Sequence, residues 1–242
     1  MLNYKFLKGI LVLVLILSAK TMDAQNKTDV MNNQQKSIVA ISALTAVGDI
    51  DNLKTELGNG LDAGLTINEI KEALVQLYAY CGFPRSLNAL GTFQMVLEER
   101  KAKGIKDVEG KEIIVENNAD DKYDQGRKVL ETLTKTPQAR PAPGFGEFAP
   151  RIDTFLKEHL FADIFFVDVL SYRQRELVTI SALAAMTGLE SQLRSHIGMG
   201  INTGITESQL IEAFDLIEKH INKQQADIAK RVLKEIIRTS NG

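Results

Sequence analysis

The stretch GDIDNLKTELGNGLDAGLT at residues 48–66 is followed 140 positions later by GLESQLRSHIGMGINTGIT at residues 188–206. Six of the 19 aligned positions are identical, where average composition would give roughly one. The identical pairs are Gly48 and Gly188, Leu53 and Leu193, Gly58 and Gly198, Gly60 and Gly200, Gly64 and Gly204, and Thr66 and Thr206. Self-similarity at a fixed offset indicates an internal duplication of one structural unit.

The two copies differ at chemically important positions. Glu56 in the first copy stands at the position of His196 in the second. The run YCGFP at residues 80–84 has no counterpart in the second copy. We therefore expect one copy to have kept chemistry that the other lost.

Apolar residues recur at helical spacing along most of the chain. Gly48 is placed to end one helix. Thr66 and Glu69 form a capping box that starts another helix. We assign both Glu69 and Glu72 to helix capping and to favourable interaction with the helix dipole. Alternating apolar runs of the kind that a sheet needs do not occur at useful length. The pattern predicts an all-α fold, with helices over residues 38–47, 53–61, 66–80, 87–97, 121–133, 151–166, 173–187, 189–203 and 207–237, the last broken near residue 221.

Four of the five prolines, at positions 137, 141, 143 and 150, cluster around two glycines. A long helix cannot form there because proline removes a backbone donor and clashes with the preceding turn. This segment is therefore the connector between the copies. We divide the chain into a signal peptide at 1–24, a leader at 25–36, a first repeat at 37–135, a proline-rich connector at 136–150 and a second repeat at 151–242.

The first residues have the composition of an export signal. Lys5 and Lys8 precede an eight-residue apolar run at positions 10–17, and small residues follow up to Ala24. An apolar core of this length is too short to span a bilayer as a helix. We expect an exported protein, periplasmic or secreted, without a membrane anchor once the signal is removed.

Composition argues against several functions. The net charge is −2, with lysine and arginine spread along the chain, which gives no reason to expect a nucleic-acid partner. Three histidines without ligand-like spacing and the single cysteine, Cys81, predict no metal site and no intrachain disulfide. We expect neither a metal nor another cofactor.

His196 is the first candidate for catalysis. It lies in the predicted helix 189–203 beside three glycines, each of which costs a helix roughly 1 kcal/mol relative to alanine, so close helix contact or a pocket is the expected compensation. Glu176 lies in the preceding helix, which the turn at Gly188 folds back, and the two meet only if the helices splay or a partner subunit intervenes. A carboxylate beside an imidazole makes a proton-transfer group suited to neutral pH. The alternative is a partly exposed histidine without a role.

The second repeat also carries a family resemblance. RELVTISAL at 175–183, Gly188, Leu193, His196 and GINTGIT at 200–206 are similar to the core signature of the carboxymuconolactone decarboxylase family. In the first repeat, GLDAGLT at 60–66, EIKE at 69–72 and YCGFP at 80–84 resemble the family's later signature. The resemblance covers nearly all of the mature chain. It implies an all-α, alkylhydroperoxidase D-like helical fold in two tandem repeats.

This family includes decarboxylases and thiol-based antioxidant proteins of the alkylhydroperoxidase D type. The antioxidant branch needs Cys-x-x-Cys-x-x-x-His, but alignment on Gly188 and His196 puts Leu189 and Gln192 at the thiol positions. The first repeat has no cysteine at the equivalent positions either. Because thiolate exchange requires sulfur, the Glu and His that are present resemble the decarboxylase-like branch.

The resemblance implies a lyase or isomerase that acts on a small carboxylated or lactone-like compound. His196 would move the proton and Glu176 would orient it, while Arg175, Tyr80 and Arg85 would bind the substrate. Single-repeat relatives assemble as rings, so we expect a homo-oligomer, a trimer of fused repeats. Burial of glycine-rich helix faces between subunits would account for the glycines of both repeats.

Two other functions stay open. A non-catalytic binding or assembly module of the same fold would keep His196 as a remnant. A thiol-dependent, peroxidase-type antioxidant activity through Cys81 alone is disfavoured because the Cys-x-x-Cys pair is missing. Burial of Cys81 against a neighbouring helix is the favoured reading of that residue.

Overall fold

The computed structural model describes residues 30–114 and 116–240. Within these ranges the chain contains helices and no strand, which confirms the all-α prediction. The predicted signal peptide at 1–24 lies outside the described residues, as does the first part of the leader. No helix in the described ranges is long and apolar enough to cross a membrane.

Four helices make up the first repeat: α1 (Asn33–Val47), α2 (Ile50–Asp62), α3 (Ile67–Cys81) and α4 (Phe83–Ala102). Helix α1 begins before the predicted start at residue 38, inside the segment assigned to the leader. Asn32 starts it through a capping box with Gln35. These local hydrogen bonds begin the helix although its first residues are polar.

Further elements occupy the end of the first repeat, the connector and the start of the second repeat. They are α5 (Lys122–Thr134), α6 (Phe145–Phe148) and α7 (Pro150–Thr154), which continues directly as a π-helix over Phe155–Ile164. The sequence predicted one regular helix over 151–166. The π-helical geometry was missed because it differs from an α-helix in its hydrogen-bond step, which the residue pattern of so short a segment does not encode.

The second repeat has the same order of helices as the first: α8 (Tyr172–Ala185), α9 (Glu190–Asn202), α10 (Glu207–His220) and α11 (Lys223–Ser240). The predicted break near residue 221 is confirmed, since α10 ends there and α11 follows. The duplicated glycines serve the same turns in both copies: φ is 78° at Gly48 and 76° at Gly188, and 94° at both Gly64 and Gly204. These positive values favour glycine.

Helices α1 and α8 form the centre of the molecule. Residues 37–46 of α1 and 175–185 of α8 are all buried, and these two helices make the most extensive contact of any pair of repeat helices. One hydrophobic core includes side chains from both repeats. The two repeats are therefore packed into a single unit.

Gly60 and Gly200 serve helix contacts inside the chain. A Cβ at Gly200 would lie 2.8 Å from Cδ1 of Ile180, and one at Gly60 would lie 3.0 Å from Cδ1 of Ile41. Thus α9 approaches α8 in the same way that α2 approaches α1. The expectation that subunit interfaces account for the repeated glycines is wrong at these two positions.

Helix α5 packs against the π-helix around a second apolar cluster. A Cβ at Gly126 of α5 would lie 1.9 Å from the carbonyl oxygen of Lys157 in the π-helix. Lys157 is itself buried, where its Nζ donates to the Tyr123 hydroxyl at 3.1 Å and pairs with Asp153. The close approach of Gly126 to Lys157 is between the backbones of the two helices, so a movement of side chains cannot relieve it.

We predict that Gly126→Ala lowers the free energy of unfolding by about 3 kcal/mol, because overpacking against backbone forces the two helices apart. The matched control is Gly91→Ala in α4, where a Cβ would meet no atom within 4 Å. That variant should be neutral or gain up to about 1 kcal/mol from helix propensity. Urea denaturation followed by circular dichroism measures both, and equal stabilities of the two variants would contradict the prediction.

Candidate active site

Glu176 and His196 meet within one chain. Glu176 lies in the first turns of α8, His196 lies in the middle of α9, and Nδ1 of His196 is 2.8 Å from Oε2 of Glu176. The Glu176 side chain is fully buried and that of His196 is 10% exposed. Neither splayed helices nor a partner subunit is needed to bring the pair together.

The turn at Gly188 sets the relative position of this pair. Glu176 stands 12 residues before the turn and His196 eight residues after it. This is an axial offset of about 6 Å, which the two side chains can span. Gly200 stands level with Glu176 on the opposite helix, and a Cβ there would be 3.9 Å from the Cβ of Glu176. No side chain at position 200 crowds the carboxylate.

Tyr80 brings the first repeat into this site. Its ring meets the His196 ring edge-on, with centroids 5.5 Å apart and an interplanar angle of 80°. Its hydroxyl is buried and makes no hydrogen bond of normal geometry among the described residues. Burial, followed by the nearby Glu176 carboxylate, raises the pKa of Tyr80 well above its usual value. The phenol therefore stays protonated at physiological pH.

The Glu176 and His196 pair is arranged for proton transfer. An ionised carboxylate only accepts hydrogen bonds, so it favours the imidazole tautomer with its proton on Nδ1 and leaves a lone pair on Nε2. Nε2 has no hydrogen bond to any described residue, and Oε1 of Glu176 has none either. The ring can exchange a proton through Nε2 while Glu176 holds it in place.

The profile of the carboxymuconolactone decarboxylase family matches residues 20–94 and 150–218. The two regions together make up more than half of the chain, and one falls in each repeat. The chain belongs to the carboxymuconolactone decarboxylase family. No curated protein matches it. Two separate matches confirm the prediction of a tandem two-repeat member.

In this carboxymuconolactone decarboxylase family member, Arg175 is not free to bind a substrate. It is fully buried, and its guanidinium donates to Gln76 Oε1 at 2.9 Å, to Glu72 Oε2 at 3.2 Å and to the Val167 carbonyl. Burial lowers the pKa of Arg175, opposed by Glu72, and burial likewise raises the pKa of Glu72. The predicted role in holding a substrate carboxylate is corrected: Arg175 joins α8 to α3.

Glu72 is a residue whose role the sequence reasoning missed. Its assignment to helix capping was wrong, whereas Glu69 does complete the capping box of α3. The partner Arg175 is 103 residues away, so no local pattern connects the two. One signal was available in RELVTISAL at 175–183. Two charged residues are followed there only by apolar and small hydroxyl residues, a composition that is typical of a helix buried on every side.

Arg85 does not contact His196. It donates to the Ala46 carbonyl and approaches Sδ of Met186 at 3.7 Å. It lines an open cavity of about 370 Å³ that His196 does not line. Of the two substrate-binding residues predicted from the first repeat, Tyr80 lies at the candidate site and Arg85 lies outside it.

The first repeat carries different chemistry at the equivalent positions. Lys36 stands where the second repeat has Glu176, and it pairs with Glu212 at 2.8 Å. Glu56 stands where the second repeat has His196. The first repeat therefore has no equivalent of the Glu176 and His196 pair.

In the described part of the chain, no group of three or more His, Cys, Asp or Glu residues is placed to hold a metal ion.

Cys81 is partly buried at the end of α3. Its Sγ donates to the Leu77 carbonyl at 3.2 Å. Burial raises the pKa of the thiol, and Arg85 opposes this shift. A raised pKa lowers the thiolate fraction at neutral pH, and the thiolate is the nucleophile.

We predict that Arg175→Ala lowers the free energy of unfolding by about 3–5 kcal/mol, because it leaves Glu72 buried without its partner. The matched control is Lys36→Ala, which breaks the half-exposed ion pair with Glu212 and should cost no more than about 1 kcal/mol. Chemical denaturation measures both. A loss for Arg175→Ala no larger than that for Lys36→Ala would show that the buried pair does not hold α3 to α8.

We predict that Cys81 reacts with a disulfide reagent about tenfold more slowly in the folded chain than in urea, because the folded thiol is shielded and less ionised. The raised pKa should also move the rate-against-pH curve to higher pH on folding. Cys81 is the single cysteine, so the absorbance signal belongs to it alone. Equal rates in the folded chain and in urea, or a rate-against-pH curve that moves to lower pH on folding, would contradict the prediction and would favour a reactive Cys81 thiol.

Proposed function

We propose that this protein is a carboxymuconolactone decarboxylase-like lyase or isomerase that acts on a small carboxylated or lactone-like compound. The observation that carries the proposal is the buried contact of 2.8 Å between His196 Nδ1 and Glu176 Oε2. It leaves Nε2 of His196 as the exchangeable position. Family membership supports the same reaction class.

The proposed step is a proton transfer at carbon. As an acid, protonated His196 gives its Nε2 proton to the carbon that loses carbon dioxide, after the electrons of the broken C–C bond have moved to an adjacent carbonyl oxygen. As a base, neutral His196 removes a proton next to the carbonyl of a lactone and returns it at another carbon. Such catalysis is typically worth about 10²- to 10⁴-fold in rate.

Glu176 and Tyr80 support this transfer in different ways. Glu176 holds the imidazole through its contact with Nδ1. Tyr80 stays neutral, and its ring packs edge-on against the imidazole, which helps to hold the ring of His196 in place. The imidazole of His196 alone transfers the proton, and the Glu176 carboxylate positions it.

We also propose that the protein is exported and that it assembles as a homo-oligomer. The composition of residues 1–24 supports export to the periplasm or beyond the cell, and the tandem arrangement supports a homo-oligomer. Both are separate from the reaction and can be tested on the purified protein by mass spectrometry and light scattering.

The test is proton exchange and decarboxylation with a panel of unsaturated lactone carboxylates and β-keto acids, followed by proton NMR in deuterium oxide. His196→Gln and Glu176→Gln should each reduce turnover, the former by about 10²-fold or more, with unchanged helix content. The control is His159→Gln, whose side chain is 53% exposed, and it should keep full activity. Equal turnover in wild type and His196→Gln would remove His196 from the reaction, and no turnover of any of these compounds by the wild type would leave a non-catalytic binding or assembly module as the function.

A further inference from the structure

The outer face of α4 carries an exposed apolar stripe. Phe83, Leu87 and Met95 are spaced at multiples of four residues, which places them along one side of the helix, and they are 62%, 60% and 48% exposed. The opposite side of α4, which includes Ala89 and Phe93, is buried in the core. Positions 86–97 contain no charged residue. The solvent side of this helix therefore lacks the charges that a solvated helix face usually carries.

The second repeat shows how the same helix is built when water covers it. Helix α11 corresponds to α4 at the repeat offset of 140 residues, and their buried positions match, as Phe93 and Leu233 do. The outer faces differ completely, although both inner faces pack into the same core. At the three positions of the α4 stripe, α11 has the exposed charged residues Lys223, Asp227 and Glu235.

An apolar groove of about 540 Å³ adjoins the stripe. Gly82 and Phe83 line it from the YCGFP run at 80–84, which the second repeat lacks. Ile152 of α7 and Phe155 of the π-helix line the other side, and each is 52% exposed. The stripe forms a ridge beside this groove, so one face of the molecule presents a convex and a concave apolar surface together.

The exposed apolar area of this face is at the upper end for a single chain. A fully exposed large side chain presents about 200 Å², so the exposed fractions of the three stripe residues and of Ile152 and Phe155 correspond to roughly 550 Å². The largest apolar patch on a typical monomer is about 300–600 Å². A specific interface buries about 800 Å² on each partner, of which about 65% is apolar in homodimers. The face thus has the apolar area that a stable homodimer needs.

We infer that the α4 stripe and the adjoining groove form an interface with a second copy of this chain. In a twofold pair both partners use the same face, so the ridge of each copy meets the groove of the other. A second copy fits because it supplies the convex and the concave surface in equal number. The inference takes its partner from the proposed homo-oligomer and does not depend on the proposed reaction.

Sedimentation velocity of the purified protein from about 1 to 100 µM tests the inference, and we expect a dimer. Leu87→Glu should weaken dimerisation by about a hundredfold or more, because each copy then buries a carboxylate without a partner. Leucine and glutamate have similar helix propensities, so circular dichroism should show unchanged helix content. The control Ile211→Glu alters an exposed apolar residue of α10 outside this face and should change dimerisation by less than about twofold.

Ile152→Glu tests the groove side and should also weaken dimerisation, by about tenfold or more. His196→Gln should dimerise as wild type does, which separates this result from the proposed reaction. A monomeric wild type would overturn both this inference and the proposed homo-oligomer. An assembly of three subunits, or one that persists unchanged in Leu87→Glu or in Ile152→Glu, would overturn this interface alone.

Discussion

Arg175 and Glu176 are adjacent, oppositely charged and completely buried, and much of the structure follows from their need for partners. A buried charge without a partner costs several kcal/mol. Arg175 finds Glu72 on α3, and Glu176 finds His196 on α9. Neighbouring residues on α8 thus fix one helix of the first repeat and one helix of the second, so the same constraint that holds the fold also forms the site.

The structural pair supports the candidate site through α3. Gln76 accepts from Arg175 and donates to both the Arg175 carbonyl and the Thr179 hydroxyl, at 2.9 Å in each case. These bonds hold α3 along α8, and Tyr80 lies one turn further along α3, where its ring meets His196. The first repeat therefore contributes Tyr80 to the surroundings of His196, although it has no equivalent of the Glu176 and His196 pair.

Local signals predicted the fold well, and long-range polar contacts explain what they missed. The capping box at Thr66 and the turn at Gly188 are encoded within a few residues, so the helix boundaries near them could be read directly. The sequence predicted that Glu176 and His196 would meet only if their helices splay or a partner subunit intervenes, whereas the turn at Gly188 alone brings them into contact. The role of Arg175 could not be read in this way, because it depends on how α3 packs across more than 100 residues of sequence. A charge in a sequence pattern suggests an exposed face until the burial of its helix is known.

The first turns of α8 carry three charged residues with three different surroundings. Arg173 is partly exposed and donates to Gln209, Arg175 is buried in an ion pair with Glu72, and Glu176 is buried against the His196 imidazole. The equivalent residues of α1, at positions 33, 35 and 36, are Asn, Gln and Lys, so this charge pattern belongs to one copy. Because α1 and α8 are otherwise matched in length and burial, the divergence concerns chemistry rather than fold. The repeated unit therefore keeps its shape with either set of residues, and the buried ion pairs of α8 are added to a helix that forms the core as α1 does.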